Sequence, residues 1–434
     1  MIYGIISFLK SLLIRGSLLG ICFALYAYFT DTSIDDYKAI FIVLFSIIFI
    51  ERAVYYLTWW KFIILPYSLN LHSNFKDDTS KNSLYVDKFV KFKKLKPKSH
   101  LEQVMAIGLK SFSLEYRNFV AINVDDYKEN AERILHFLGL IDKRYEVKVY
   151  HKKNRNVVLV FYSLPYEYSV DLSYFKPNKL FLGIYEKGLY YRKLNTLDHL
   201  LCVGESGSGK SNFMHLLNIN FLFNLHKIKK MYMIDLKGGV ELKRYEKLDN
   251  VEFVSNIERL NVLLDDVLED LKESQNELLL SNKRKSDDLT LIVFDEVGAV
   301  STYPDKKIRE AIFDKLALIS MQGRASGILL FLFAQKIDNT ILPSSIVNNL
   351  QTRVLLKTSN DNNINIIDLK DNIREKITWV EVQDFNKGRA IYKDGLTSDK
   401  SLIQFPIIGD KLLNYIISNN MIDVTHELLN QKPL

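Results

Sequence analysis

Eight consecutive residues, Gly204, Glu205, Ser206, Gly207, Ser208, Gly209, Lys210 and Ser211, complete the pattern G-x-x-x-x-G-K-[ST] directly after an apolar run at 200–203. That spacing specifies phosphate chemistry. Glycines let the backbone turn tightly enough for successive N–H groups to face phosphate oxygens, Lys210 brings a mobile cation to the β and γ oxygens, and Ser211 offers a hydroxyl to Mg2+. A helix expected after Ser211 adds the positive end of its dipole. Farther on, the apolar run 289–294 ends in Asp295 and Glu296. Two adjacent carboxylates at the carboxyl end of a buried strand fit a division of labour if that strand neighbours the phosphate loop. Asp295 holds Mg2+ or its waters, and Glu296 is the general base on the water that attacks the γ-phosphorus. The expected ligands are ATP and Mg2+, and the expected activity is ATP hydrolysis.

Other triphosphate chemistries would leave different marks. The string nearest to a guanine-reading N-K-x-D is Asn282-Lys283-Arg284-Lys285, which lacks the carboxylate for the ring hydrogens and disfavours GTP. An LSGGQ-like helix start, expected of transporter ATPases, is missing from the text.

The elements that must position these residues read as an α/β core. Short apolar runs at 231–234, 251–254, 289–294, 328–333 and 353–356 are separated by helical patterns such as 260–280, the signature of a mainly parallel sheet covered on both faces. A hairpin pattern at 181–194 leads into this core. Upstream, residues 84–178 read as a small α/β adaptor with a helix near 127–140 and strands near 144–150 and 157–162. Two basic clusters fall here, from Lys91 to Lys98 and from Lys143 to Arg155; they fit nucleic acid, anionic lipid or a solvated face.

The amino-terminal 62 residues carry two apolar runs, 17–29 and 39–50, joined by a polar link. Lys10, Arg15, Arg52 and Lys61 flank them on the outside, so a transmembrane hairpin with both ends cytoplasmic obeys the positive-inside bias, with buried core helices and a cleaved signal peptide as the alternatives. Residues 63–83 read as a linker, 179–396 as the ATPase domain and 397–434 as a carboxyl-terminal segment. The expected location is the cell membrane, multi-pass, with the ATPase domain in the cytoplasm. Composition is compatible: 434 residues with 48% hydrophobic content support several cores, and two cysteines, Cys22 and Cys202, supply no disulfide framework. A formal charge of +7 permits a polyanionic partner without establishing one.

Four further strings carry a specific resemblance. Ile234-Asp235-Leu236-Lys237, followed by Glu241-Leu242 with one extra residue before it, resembles the I-D-x-K-x-x-E-L signature of the FtsK/SpoIIIE family of DNA-pumping ATPases. Gly323-Arg324-Ala325-Ser326-Gly327-Ile328 is similar to that family's R-A-x-G-I-H, Ala334-Gln335-Lys336 to its T-Q-R, and Leu350-Gln351-Thr352-Arg353-Val354 to its P-T-R-I, all in the family's order. The resemblance implies a RecA-like core in a ring, a hexamer, that threads double-stranded DNA without regard to sequence and fires ATP between subunits. It implies that Gln335 senses the γ-phosphate. Arg353, or else Arg324, would reach a neighbour's site; a structural ion pair is the alternative for either. Lys306, Lys307 and Arg309, after Glu296, are the candidate DNA contacts, with a solvated helix start explaining them equally well. The compact plan, with two expected membrane helices and no room for a terminal DNA-reading module, is similar to the coupling ATPases of conjugative elements in Gram-positive bacteria. A relaxase and secretion-channel proteins would then be partners. A protein-secretion motor of the same superfamily and a chromosome or phage DNA segregation factor remain the alternatives.

Overall fold

A computed structural model describes residues 100–108, 111–117, 124–141, 143–152, 156–239, 241–367 and 380–418, together with Ser46, Phe49 and Ile50. The expected hairpin at 1–62, the linker at 63–83 and the cluster Lys91 to Lys98 therefore lie almost wholly outside the described residues. Among the described residues no helix is long and apolar enough to cross a membrane. The chain divides into two compact units, Met1–Tyr162 and Ser163–Leu434.

In the first unit a four-stranded antiparallel sheet has the order β1-β2-β4-β3, from β1 (His100–Gly108), β2 (Ser111–Arg117), β3 (Glu146–Lys152) and β4 (Asn156–Tyr162). Every residue of β4 is buried, as expected for a strand between two partners. The single helix anticipated near 127–140 is two, α1 (Val124–Glu129) and α2 (Ala131–Leu138), broken at Asn130. Gly139 ends α2 in the left-handed region that Cβ-bearing residues avoid.

The second unit is built on a ten-stranded sheet of order β6-β5-β14-β13-β12-β7-β11-β10-β8-β9. Its parallel part comprises β7 (Leu200–Val203), β8 (Ile228–Asp235), β9 (Val251–Val254), β10 (Leu289–Asp295), β11 (Ile328–Ala334) and β12 (Thr352–Leu355). β5 (Lys179–Tyr185), β6 (Gly188–Lys193), β13 (Arg389–Lys393) and β14 (Lys400–Gln404) continue it antiparallel beyond β12. β14 was not anticipated: its sequence Lys-Ser-Leu-Ile-Gln is half polar, yet its pairing with β13 and β5 carries the sheet past residue 396.

Helices α3 (Lys210–Leu222), α4 (Ile257–Ser281) and α5 (Lys306–Gln322) connect the parallel strands, and the shorter α6 (Ser344–Val347), α7 (Asp361–Asn365) and α8 (Asp410–Ser418) follow. α3 is buried almost all round, so its polar residues must find partners inside. Asn220 does so by bonding to both Phe181 N–H (2.7 Å) and Phe181 O (2.8 Å), which pins the helix to β5. The core joins Phe213, Phe221, Phe331, Phe333 and Phe405 with the aliphatic faces of β7, β10 and β11.

Candidate functional site

Burial of four strand residues delivers the phosphate loop: β7 is wholly buried, and the chain leaves it at Gly204, whose N–H donates to Ala334 O at the end of β11 (3.3 Å). Gly209 takes φ +109°, and a Cβ there would stand 2.9 Å from Gly388 N, so backbone approaches backbone where only glycine fits. Around Gly207, also at positive φ, the space a Cβ would enter is open. Glu205 accepts from Ser359 N (2.6 Å) and Ser359 Oγ (2.7 Å), which ties the loop to the segment after β12 and holds its carboxyl below the usual range. Ser208 Oγ is buried without a partner. The first-turn N–H groups of α3 have no intrahelical acceptor and open at the loop.

Lys210 donates from Nζ to Gly204 O (2.7 Å) and Glu205 O (3.1 Å), folding the cation back on its own loop. Burial lowers its pKa, against the nearby Glu296 and Asp295 charges. A cation that satisfies itself on carbonyls of the cradle is poised for phosphate oxygens in their place.

The carboxylates come from a different position than expected. β10 is not beside β7; β11 lies between them. Apolar periodicity identifies a buried strand but not the side from which its crossover returns, so the order escaped sequence reasoning. The consequence is a three-strand site. Asp295 ends β10 in register with Asp235 at the end of β8. Burial first, then the charges of Asp235 and Glu296, pushes the Asp295 carboxyl up to about 6. This crowding is the observation by which the residues fit a divalent cation: anionic oxygens concentrate where Ser211 also stands, and Mg2+ usually takes one or two carboxylates plus substrate phosphates. Among the described residues no group of three or more side chains could hold a metal by itself.

Glu296 is buried and adopts φ +56°, a left-handed conformation rare for a side chain of its size and of the kind that collects at functional sites. Its carboxylate is held from two sides, by Lys237 Nζ (3.1 Å) and by the Gln335 N–H (3.3 Å). Lys237 belongs to the turn that follows β8, where Asp235 accepts from the N–H groups of Lys237 (3.0 Å) and Glu241 (3.3 Å). Glu241 in turn bonds His215 Nε2 (3.1 Å) and the Ser211 side chain, and its pKa is lowered mainly by the histidine. His215 Nδ1 meets Tyr245 Oη at 2.9 Å. Sequence reasoning named Asp235, Lys237 and, within the same string, Glu241 without giving them a place, and it missed His215 and Ser359.

The remaining candidates scatter. Gln335 is exposed at the tip of β11, its O accepting from the buried Asn363 side chain (3.0 Å). Arg353 is buried, with Nε on Leu350 O (3.0 Å), one terminal nitrogen on Ile366 O (2.6 Å) and the other on Val347 O (3.2 Å). It ties β12 to two other backbone segments of the same chain, one at 347–350 and one at 366. Arg324 is half-buried just before β11, near Asp198, His199 and Lys285, at the sheet edge opposite the phosphate loop. Lys306, Lys307 and Arg309 open α5: Lys306 pairs with Glu310 (3.6 Å), Lys307 is exposed, and Arg309 donates to Tyr303 O (2.6 Å).

When bound, ATP and Mg2+ would bring the scissile phosphate and its charge neutralisation to Lys210, Ser211 and Asp295. With that group in place Glu296, oriented by Lys237 and the Gln335 N–H, would be the carboxylate positioned to take a proton from water.

The FtsK/SpoIIIE family model matches residues 175–364. The DNA translocase FtsK of Staphylococcus aureus (strain COL) is 23% identical over 269 residues, 56% of this chain and 32% of that protein. The DNA translocase FtsK of Tropheryma whipplei (strain TW08/27) is 24% identical over 196 residues, 40% of this chain and 26% of that protein. The chain thus spans about a third of the length of the curated relatives it matches. Among solved structures, the pCW3 conjugation coupling protein TcpA, monomer form with ATPγS, superposes with a TM-score of 0.52 at 19% identity, covering 75% of this chain and 94% of that one. EssC (ATPases 2 and 3) from Geobacillus thermodenitrificans gives 0.50 at 15% identity, covering 62% and 53%. Both likenesses are of fold. The phosphate loop, Lys237, Asp295, Glu296 and Gln335 all fall within the segment that is similar to the FtsK/SpoIIIE family, and the chain is an ATPase with that likeness over residues 175–364.

Proposed function

We propose that this protein is a membrane-tethered, ring-forming motor that spends ATP on moving DNA toward or through the cell envelope, as the coupling protein of a conjugation system. The observation that carries the reading is the joining of Glu296 to Lys237 and to the backbone of Gln335. A general base shared between β10, the turn after β8 and the tip of β11 links water activation to two segments able to report on bound nucleotide. Support for DNA as the cargo comes from the family match and its FtsK relatives. Support for the conjugative role comes from the fold shared over nearly the whole of a coupling protein. Membrane anchoring rests on the apolar runs within residues 1–62, and the hexamer and Mg2+ on the family resemblance.

The test is steady-state ATPase turnover of the detergent-purified protein with and without random-sequence duplex DNA at low salt. We expect duplex to accelerate turnover severalfold. Turnover indifferent to duplex but raised by an export-signal peptide would replace the reading with a secretion motor.

A further inference from the structure

Six residue steps along β10 separate Leu289 from Asp295, roughly 20 Å at the rise of an extended strand. At the Leu289 end, on the edge of the sheet away from the phosphate loop, lies a hollow of about 590 Å3. Four lysines line it. Lys179 opens β5, Lys193 closes β6, Lys227 immediately precedes β8, and Lys285 lies in the link before β10. Asp287 is the one carboxylate in the lining; it pairs with Lys283 at 2.9 Å and also feels the charge of Lys227.

This concentration of charge works against the fold. Lys179 and Lys193 are direct cross-strand partners, a like-charge pairing that destabilises an antiparallel ladder. Lys285 is half-buried, anchored by its Nζ on Asn195 O (2.8 Å). Burial and then the Arg324 charge hold its pKa down, with Asp198 offsetting part of that effect, so the cation sits where positive charge is only partly balanced. An anion in the hollow would relieve the Lys179–Lys193 pairing and add to the partial balance that Asp287 gives Lys227 and Asp198 gives Lys285.

The lining also indicates which anion. It contains no aromatic ring on which a base could stack, and its two apolar residues, Leu194 and Leu289, are buried, so neither a splayed base nor an acyl chain finds a surface. Asn178, Asn195 and Ser286 add uncharged polar groups of the sort that accompany lysines on phosphates. We propose that this hollow docks the phosphodiester backbone of double-stranded DNA, at a place distinct from the ATP site. The proposal rests on the DNA-translocase reading and adds to it a contact at the far ends of β8 and β10, the two strands that finish in Asp235 and Asp295.

The experiment measures binding of the purified 434-residue protein to a fluorescent random-sequence duplex by anisotropy between 50 and 200 mM NaCl, both salts being chosen from the range where counterion release dominates. Wild type is compared with the combined variant Lys193→Gln, Lys227→Gln, Lys285→Gln and with the matching triple change to Arg. Each lost phosphate contact should flatten the slope of log affinity on log salt by about 0.9, so the Gln variant should lose roughly 2 to 3 from the slope and about tenfold or more in affinity at the lower salt. The Arg variant should keep both, and a fluorescent ATP analogue should bind all three proteins alike. If the Gln variant binds duplex with the wild-type slope and affinity, the hollow is not a DNA contact, while the translocase reading stands. The proposal is equally overturned if the Gln variant loses phosphatidylglycerol vesicles instead of duplex. Absence of duplex binding by the wild type would overturn the translocase reading and the proposal with it.

Discussion

At the scale of single residues, the site is organised around negative charge that the fold alone does not neutralise. The folded pKa of Asp295, about 6, lies above its ordinary value of 3.8. The folded state therefore holds a proton that the unfolded chain has released between those limits, and stability falls as pH rises through that window and stays lower above it. Replacing Asp295 by Asn removes the penalty. We expect the nucleotide-free D295N protein to melt a few degrees above wild type at pH 8, with the gap narrowing toward pH 5, while hydrolysis is lost; a gap independent of pH would contradict the charge argument. Glu296→Gln should bind ATP yet turn over about 10²- to 10⁴-fold more slowly, the usual worth of a positioned base, and single-turnover kinetics would show it. For Arg353 the structure redirects the expectation: a guanidinium spent on carbonyls of its own chain should, on change to Ala, lower the melting temperature, and mixing with Glu296→Gln subunits should restore no activity. At this scale the phosphate loop and the two adjacent carboxylates were legible because their chemistry is local. Lys237 on Glu296 and Glu241 on Ser211 were not, since each contact joins segments that only the sheet brings together.

At the scale of elements, the sheet is locked by a buried ion cluster. Arg192 at the end of β6 pairs with Asp198 (3.1 Å) and Asp394 (2.9 Å) and donates to Thr352 Oγ1 of β12 (3.2 Å) and Tyr392 Oη of β13 (3.1 Å). Removing one partner strands the others in a poorly solvated place, so Arg192→Met should cost about 3–5 kcal/mol in a denaturant melt. A loss below about 1 kcal/mol would mean that water reaches the cluster. Gly209→Ala should disrupt the loop itself: positive φ and the approach of Gly388 both exclude a Cβ, whereas Gly207→Ala meets only the conformational cost of about 1 kcal/mol. Comparing ATP-analogue affinity of the two variants checks the difference. Period and burial made the parallel strands readable to within three residues, the largest difference being the start of β8 at Ile228. β14 and the rank of β10 were unreadable, because one depends on edge pairing of a half-polar segment and the other on the path of crossovers.

At the scale of the whole molecule, two ends of one sheet carry different side chains. The carboxyl edge gathers Lys210, Asp295, Glu296 and Lys237; the opposite edge gathers lysines around a hollow, and β8 and β10 run between them. On the motor proposed above, hydrolysis at one end of β8 and β10 would have to change the grip at the other, and substitutions along these strands should then alter the coupling between the two. The central claim, that this hydrolysis moves DNA, is tested most directly by displacement of a short third strand from a triplex placed on linear duplex. We expect wild-type protein to release the third strand only when ATP is supplied, and Glu296→Gln protein to bind the same duplex without releasing it. Third-strand release that is equal with and without ATP, or equal in the two proteins, would contradict the claim.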